Sequence, residues 1–169
     1  MAKIYTIDKG LSTTWQAQFV VASGGAATIA RGTPTKSTEA DATATGALVP
    51  MVDGDGSVTA MRFGGIAKTT STDTAAAAGV VDTWVPVPGL LYRGFAKSAA
   101  AADTQSEINV LMRKRVVFDL TSSDWTIDTA AADALVNCVV IVGGLPQSSE
   151  ILFMYSPKGT ILDTSTVIS

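Results

Sequence analysis

The sequence contains no histidine. That removes the Ser-His-Asp and Cys-His catalytic arrangements and every histidine metal site. Cysteine occurs once, at Cys138, which excludes an internal disulfide and any multi-cysteine zinc site. Cys138 lies in the apolar run "LVNCVVIVGG", where a buried thiol behaves as a small hydrophobe rather than a nucleophile. Charge is scarce, at 16% of residues against roughly 25% in ordinary globular chains. The formal net charge is −3, so a general affinity for nucleic acid or an anionic membrane is not expected. Aromatics make up only 7%. No apolar run approaches the ~18–20 residues of a membrane span, and "MAKIYTIDKG" has no apolar signal core. The chain therefore reads as soluble and intracellular when made.

Motif-borne chemistry is also missing. "GDGSVTAMRFGG" and "VASGGAA" match neither a phosphate loop nor a dinucleotide fingerprint. Asp53 and Asp55 resemble the start of a calcium loop, but Ser57 stands where a third acidic or amide ligand is usual, and no closing glutamate follows. "DGDG" is read as a turn tip instead. "MRKR" (Met112–Arg115) is the one basic cluster; on a strand it splits across two faces, with Arg113 and Arg115 opposite Lys114. No catalytic residue, metal ligand or cofactor site is expected, and the chain is read as no enzyme.

At 169 residues the chain can bury a real core as one domain. Its apolar pattern has period two. In "TTWQAQFVV", Trp15, Ala17, Phe19 and Val21 share one face of a half-buried strand. "SEINVLMRKRVVFDL" alternates likewise, with Ile108, Val110, Met112, Val116 and Phe118 on one side, and is read as a strand. "GVVDTWVPVPG", "GLLYRGF", "LVNCVVIVGG" and "EILFMYS" are further strand-length runs. Pro86 and Pro88 place "WVPVPG" at an edge or the end of a strand. "VPGL" fits a type II turn with Gly89 supplying φ > 0, and "SPKG" a type I turn. "DGDG" would close a hairpin between "ALVPMV" and "SVTAMRF".

Bland connectors link these runs: "KSTEADATATGA", "TSTDTAAAAG", "KSAAAADTQSE" and "TIDTAAADA". Their spacing is irregular, so they are not solenoid repeats. They are read as crossovers with one or two short helical turns at most. The expected fold is all-β, mainly strand with short helical turns in the Ala-rich connectors, as a small β-barrel or β-sandwich. The expected division is an N-terminal strand or arm over 1–30, a β-rich body over 31–157 and a tail over 158–169.

"GGIAKTTSTDTAAAAGVVDTWVPVPGLLYRGFAKS" resembles a recurring pattern in tailed-phage capsid decoration (cement) proteins. There, a strand ending in "GIA" leads through Thr, Asp and Ala to a Gly-started strand and a proline-glycine turn. "GTPTKSTEADATATGALVPMVDGDG" and "RVVFDLTSSDWTIDTAAADALVNCVVIVGG" are similar to their upstream and C-terminal segments. The likeness covers roughly residues 30–156. It implies a virion protein with no active site that binds the outside of an icosahedral head of HK97-fold major capsid protein. Such proteins are often trimers at three-fold or quasi-three-fold positions. The resemblance thus implies a homotrimer on the capsid exterior, made in the host cytoplasm, with no nucleic acid and no membrane as partner.

Beside that resemblance, "AKIYTID" has strand propensity, and Lys3, Ile4, Tyr5 and Ile7 are candidate capsid contacts. They would form an arm that adds a strand to a neighbouring subunit, or else a first strand inside the chain's own sheet. Leu90, Leu91, Tyr92 and Phe95 are candidate oligomer contacts, with burial in the protomer's own core as the alternative. Rival functions are another virion β-domain (a head fibre base, tail or baseplate component) and a carbohydrate-binding adhesin module. The last would use Trp15, Trp84 or Trp125 as a stacking platform.

Overall fold

In a computed structural model of the chain, the described residues are 5–6, 16–21, 28–38, 47–53, 61–74, 77, 79–86, 89–135 and 137–156. They form a mainly antiparallel β structure, as the alternating apolar pattern requires. The strands are β1 (Tyr5–Thr6), β2 (Gln16–Val20), β3 (Thr28–Ile29), β4 (Pro34–Thr38), β5 (Val49–Pro50), β6 (Met61–Ala67) and β7 (Ser71–Thr72). After these come β8 (Val80–Trp84), β9 (Tyr92–Phe95), β10 (Arg115–Thr121), β11 (Asp124–Asp128), β12 (Val139–Leu145) and β13 (Glu150–Tyr155). One α-helix, α1 (Gln105–Leu111), precedes β10.

Two sheets carry the architecture. A six-stranded sheet runs β1-β9-β13-β12-β10-β11, and a five-stranded sheet runs β2-β8-β6-β4-β5. The pair β3-β7 forms a small ribbon beside the second. Each large sheet curls until its far strands approach. In the six-stranded sheet, Ala96 just after β9 bridges Ile127 of β11, and in the five-stranded sheet Val21 just after β2 bridges Leu48 just before β5. The Lys97 N–H donates to the Ile127 carbonyl at 2.8 Å, and the Leu48 N–H to the Val20 carbonyl at 2.9 Å. Among the described residues each seam is joined only at such a point, so neither sheet is a continuous barrel.

Strand alternation fills the space inside. Val116 and Phe118 of β10, Trp125 and Ile127 of β11, Val139 and Ile141 of β12, and Ile151, Phe153 and Tyr155 of β13 are all buried in one cluster. Phe63 and Ile66 of the five-stranded sheet join that cluster, and the Phe63 ring lies tilted against Tyr155 with ring centroids 4.3 Å apart. A second cluster of Val21, Ile29, Leu48, Ala67 and Val81 fills the five-stranded roll. A bulge in β6 assigns these sides. Thr35 pairs with Gly65 and Lys36 with Phe63, leaving Gly64 as the extra residue. Phe63 and Ile66 are three positions apart and would face opposite ways on a regular strand. The bulge turns both into the larger core and leaves Ala67 for the smaller one.

Several sequence expectations are corrected. "SEINVLMRKRVVFDL" is not one strand, because its first half is α1. Thr104 and Glu107 form a capping box: the Thr104 side chain accepts from the Glu107 N–H, and the Glu107 carboxylate accepts from the Thr104 N–H at 3.0 Å. That reciprocal cap outweighs a short run of alternation. Ile108 and Leu111, three apart on one helical face, are buried, while Val110 is 80% exposed. The strand begins only at Arg115. "ALVPMV" and "SVTAMRF" do not pair, since β4 lies between β5 and β6. The expected tip "DGDG" beyond Asp53 lies outside the described residues, as does "SPKG" after Ser156. β8 ends at Trp84, ahead of the prolines as expected, but it sits between β2 and β6 and is no edge. Gly89 has φ 85, which suits the expected turn. The connectors hold more than crossovers: Ser71–Thr72 is β7, and Thr126 to Asp128 belongs to β11. The alanine-rich "KSAAAADTQSE" does carry a short helical turn, Ala99–Ala101.

Candidate functional site

The described residues offer little chemistry. No group of three or more His, Cys, Asp and Glu among them could hold a metal. Cys138 is wholly buried, and that burial pushes its thiol up to about 12. Burial likewise raises the phenols of Tyr92 and Tyr155 far above their ordinary range. The Tyr92 hydroxyl donates to the Val85 carbonyl at 3.0 Å. "MRKR" does not lie on one strand but runs from the turn after α1 into the first residue of β10: Lys114 donates to the Thr129 carbonyl at 2.8 Å, and Arg115 faces Asp133 at 3.8 Å.

An open groove of 730 Å³ lies between the start of α1 and the end of β12, lined by Asp103, Gln105, Leu145 and Gln147 among others. Its one acid, Asp103, shares a hydrogen bond with Glu107 of the helix cap. The hydrogen bond with Glu107 raises the Asp103 carboxyl, and hydrogen bonds from Thr104 and Asp103 hold Glu107 below the usual carboxylate range.

Only some of the sequence-derived contact residues are described, and these have different settings. Lys3, Ile4 and Ile7 lie outside the described residues. Tyr5 is in β1, on the edge of the six-stranded sheet, with its backbone paired opposite Arg93. This is the own-sheet arrangement, and β2 and β3 likewise pair with later strands, β8 and β7. Leu90 packs against the larger core, and Phe95 is half-buried. Leu91, just ahead of β9, is 37% exposed, whereas Tyr92, the first residue of β9, is fully buried. Tyr92 thus belongs to the core and not to a contact surface. Of the tryptophans proposed as a sugar platform, Trp125 is buried, Trp84 is half-buried against the core, and Trp15 lies outside the described residues.

A different surface emerges on the outer face of the six-stranded sheet. Val117 of β10, Val140 and Val142 of β12, and Leu152 and Met154 of β13 alternate with the core residues and are half-buried. Val140 stands opposite Met154 on one side and Arg115 on the other. Leu152 stands opposite Arg93, which pairs with Glu150 at 3.3 Å. This is an apolar stripe with charged flanks. "CVVIVGG" and "EILFMYS" carry the sequence signal for it, since both parities are apolar, as in strands covered on two faces. Compared with protein-family models, with curated proteins and with solved structures, the chain has no match.

Proposed function

We propose that this chain is a structural virion protein that binds the outside of an icosahedral phage head and bridges neighbouring major capsid protein subunits. The reading starts from the cement-protein pattern over residues 30–156. The apolar outer face of the six-stranded sheet is the observation that supports it best. An antiparallel sheet that ended in solvent would place polar residues there; Val117, Val140, Leu152 and Met154 instead suit a surface that is covered in use. Small neutral side chains elsewhere lose little rotamer entropy on packing against a lattice. Repetition then lets weak single contacts hold, because linked contacts multiply through effective concentration. The copies assemble as a homotrimer at three-fold or quasi-three-fold positions of an HK97-fold shell, with residues 1–10 as a further source of contact.

Co-sedimentation with expanded shells tests the reading. The unaltered chain is expected to pellet with mature heads, and Met154→Lys to remain in the supernatant while keeping its circular dichroism spectrum. Failure of the unaltered chain to bind heads overturns the proposal, and binding to purified tails alone moves it to a tail or baseplate component.

A further inference from the structure

Two features of the apolar outer face of the six-stranded sheet bear on the chemistry of whatever covers it. The first is charge. Arg93 stands directly opposite Leu152, Arg115 opposite Val140, and Asp128 opposite Val117. Each of these flanking charges already has a counter-charge within the chain. Arg93 pairs with Glu150 at 3.3 Å, Arg115 with Asp133 at 3.8 Å, and Asp128 with Lys97 at 3.6 Å. A surface that steers an oppositely charged partner keeps its rim charges for that partner. Here they are neutralised in place, so the complementary surface is uncharged.

The second feature is a gap in the stripe. Gly143 of β12 stands opposite Leu152 and shares its outward face. The fold does not call for glycine there. Its φ is not in the left-handed region, and among the described residues a Cβ would meet only the Leu152 side chain, at 3.8 Å or more. That is ordinary contact. Gly144 beside it is different, because a Cβ there would run into the Ile108 side chain. A strand glycine that its own chain does not need marks a place where another surface approaches closely.

We propose that Gly143 floors a notch in this face that receives an uncharged aliphatic side chain of the partner. Leu152 bounds the notch across the ladder, and the Val140–Met154 pair bounds it next along the same face. On the reading of the chain as a shell-binding protein, on which this rests, the inserted side chain belongs to a major capsid protein subunit. The contact is then held by apolar burial rather than by ion pairs.

The test is equilibrium binding to mature heads by the unaltered chain, Gly143→Ala and Gly143→Val. It is run from about 0.1 to about 1 M salt, over which the screening length shrinks from about 10 to about 3 Å. The unaltered chain is expected to keep its affinity within about twofold across that range. Gly143→Ala should bind about tenfold more weakly, and Gly143→Val more weakly still, because the notch is filled. Gly143→Ala should unfold no earlier than the unaltered chain, since the added Cβ has room and restricts the unfolded state. Equal binding by both variants overturns the notch, as does earlier unfolding of Gly143→Ala, which would make the glycine a requirement of the fold. A loss of about tenfold or more by the unaltered chain at high salt overturns the uncharged partner. Each of these results leaves shell binding standing. No binding by the unaltered chain at any salt overturns shell binding and the notch with it. An oligomer in light scattering that Gly143→Ala dissolves would make a second copy the occupant, and overturns the shell partner.

Discussion

At Gly65 the backbone takes φ 112, inside the β6 bulge that sends Phe63 and Ile66 to the same core. A Cβ there would run into the Trp84 carbonyl oxygen of the neighbouring strand. Gly65→Ala combines a disfavoured backbone region with a backbone clash, and should cost at least about 3 kcal/mol, read as a drop in the urea midpoint. Two buried tyrosines make a matched pair of opposite sign. Tyr155 has a buried hydroxyl with no hydrogen-bond partner among the described residues, while Tyr92 donates to Val85. Leaving a polar group unsatisfied costs about 1–3 kcal/mol, so Tyr155→Phe should raise stability by about 1 kcal/mol, and Tyr92→Phe should lower it by a similar amount. Thermal unfolding reads this as shifts of about 2–4 °C in opposite directions. Neither effect was legible beforehand. The obstacle at Gly65 is a carbonyl on β8, and tyrosine satisfaction depends on distant backbone.

Among the elements, the β10–β11 hairpin shows the limit of turn signals. Thr121 pairs directly with Asp124, and the two residues between them, Ser122 and Ser123, have φ 50 and 72. Both central angles are positive, the signature of a type I′ turn, which ordinarily selects Asn-Gly. Serines gave no such signal, so the turn went unrecognised, and most of β11 beyond it was read as a connector. Ser122→Asn combined with Ser123→Gly should relieve the strain, adding about 1 kcal/mol of stability. A slower unfolding rate or higher midpoint would register it; no gain would mean the serines are not strained. Helix α1 failed for another reason. Ile108, Val110 and Met112 fit period two, yet only Ile108 of the three is buried. The spacing Thr104-x-x-Glu107 was the available cue, and its reciprocal hydrogen bonds decide the local structure. Where both strand parities were apolar or cleanly alternating, as in β8, β12 and β13, the reading held.

For the whole molecule, long-range pairing was beyond reach of sequence pattern: nothing in β2 or β11 announces which distant residue closes each roll. Yet closure of the six-stranded sheet carries its own ionic clip. The Lys97 ammonium lies 2.7 Å from Asp119 on β10 and 3.6 Å from Asp128 on β11, while its N–H bonds Ile127. Thr121 also donates to Asp119. Burial acts to raise the Asp119 carboxyl, but the hydrogen bonds from Lys97 and Thr121 and the Lys97 charge together hold it below its ordinary range. The hydrogen bond to Asp119 is the main cause that raises Lys97. A depressed carboxyl stabilises the fold above its unfolded value, about pH 4, and that contribution fades as pH falls through the folded value. A raised ammonium works from the other end, contributing below about pH 10 and losing its effect only as pH climbs past the folded value. Both contributions are therefore complete near neutrality, and acid is the nearer limit. Asp119→Asn should lower the urea midpoint near pH 7, with the gap to the unaltered chain closing as pH falls below about 4. In the same variant the Lys97 amide, which bonds across the seam, should exchange its hydrogen faster than the amides of the β12–β13 ladder. A gap that stays constant down to pH 2, or a seam amide no faster than before, would mean that backbone bridging alone holds the roll shut.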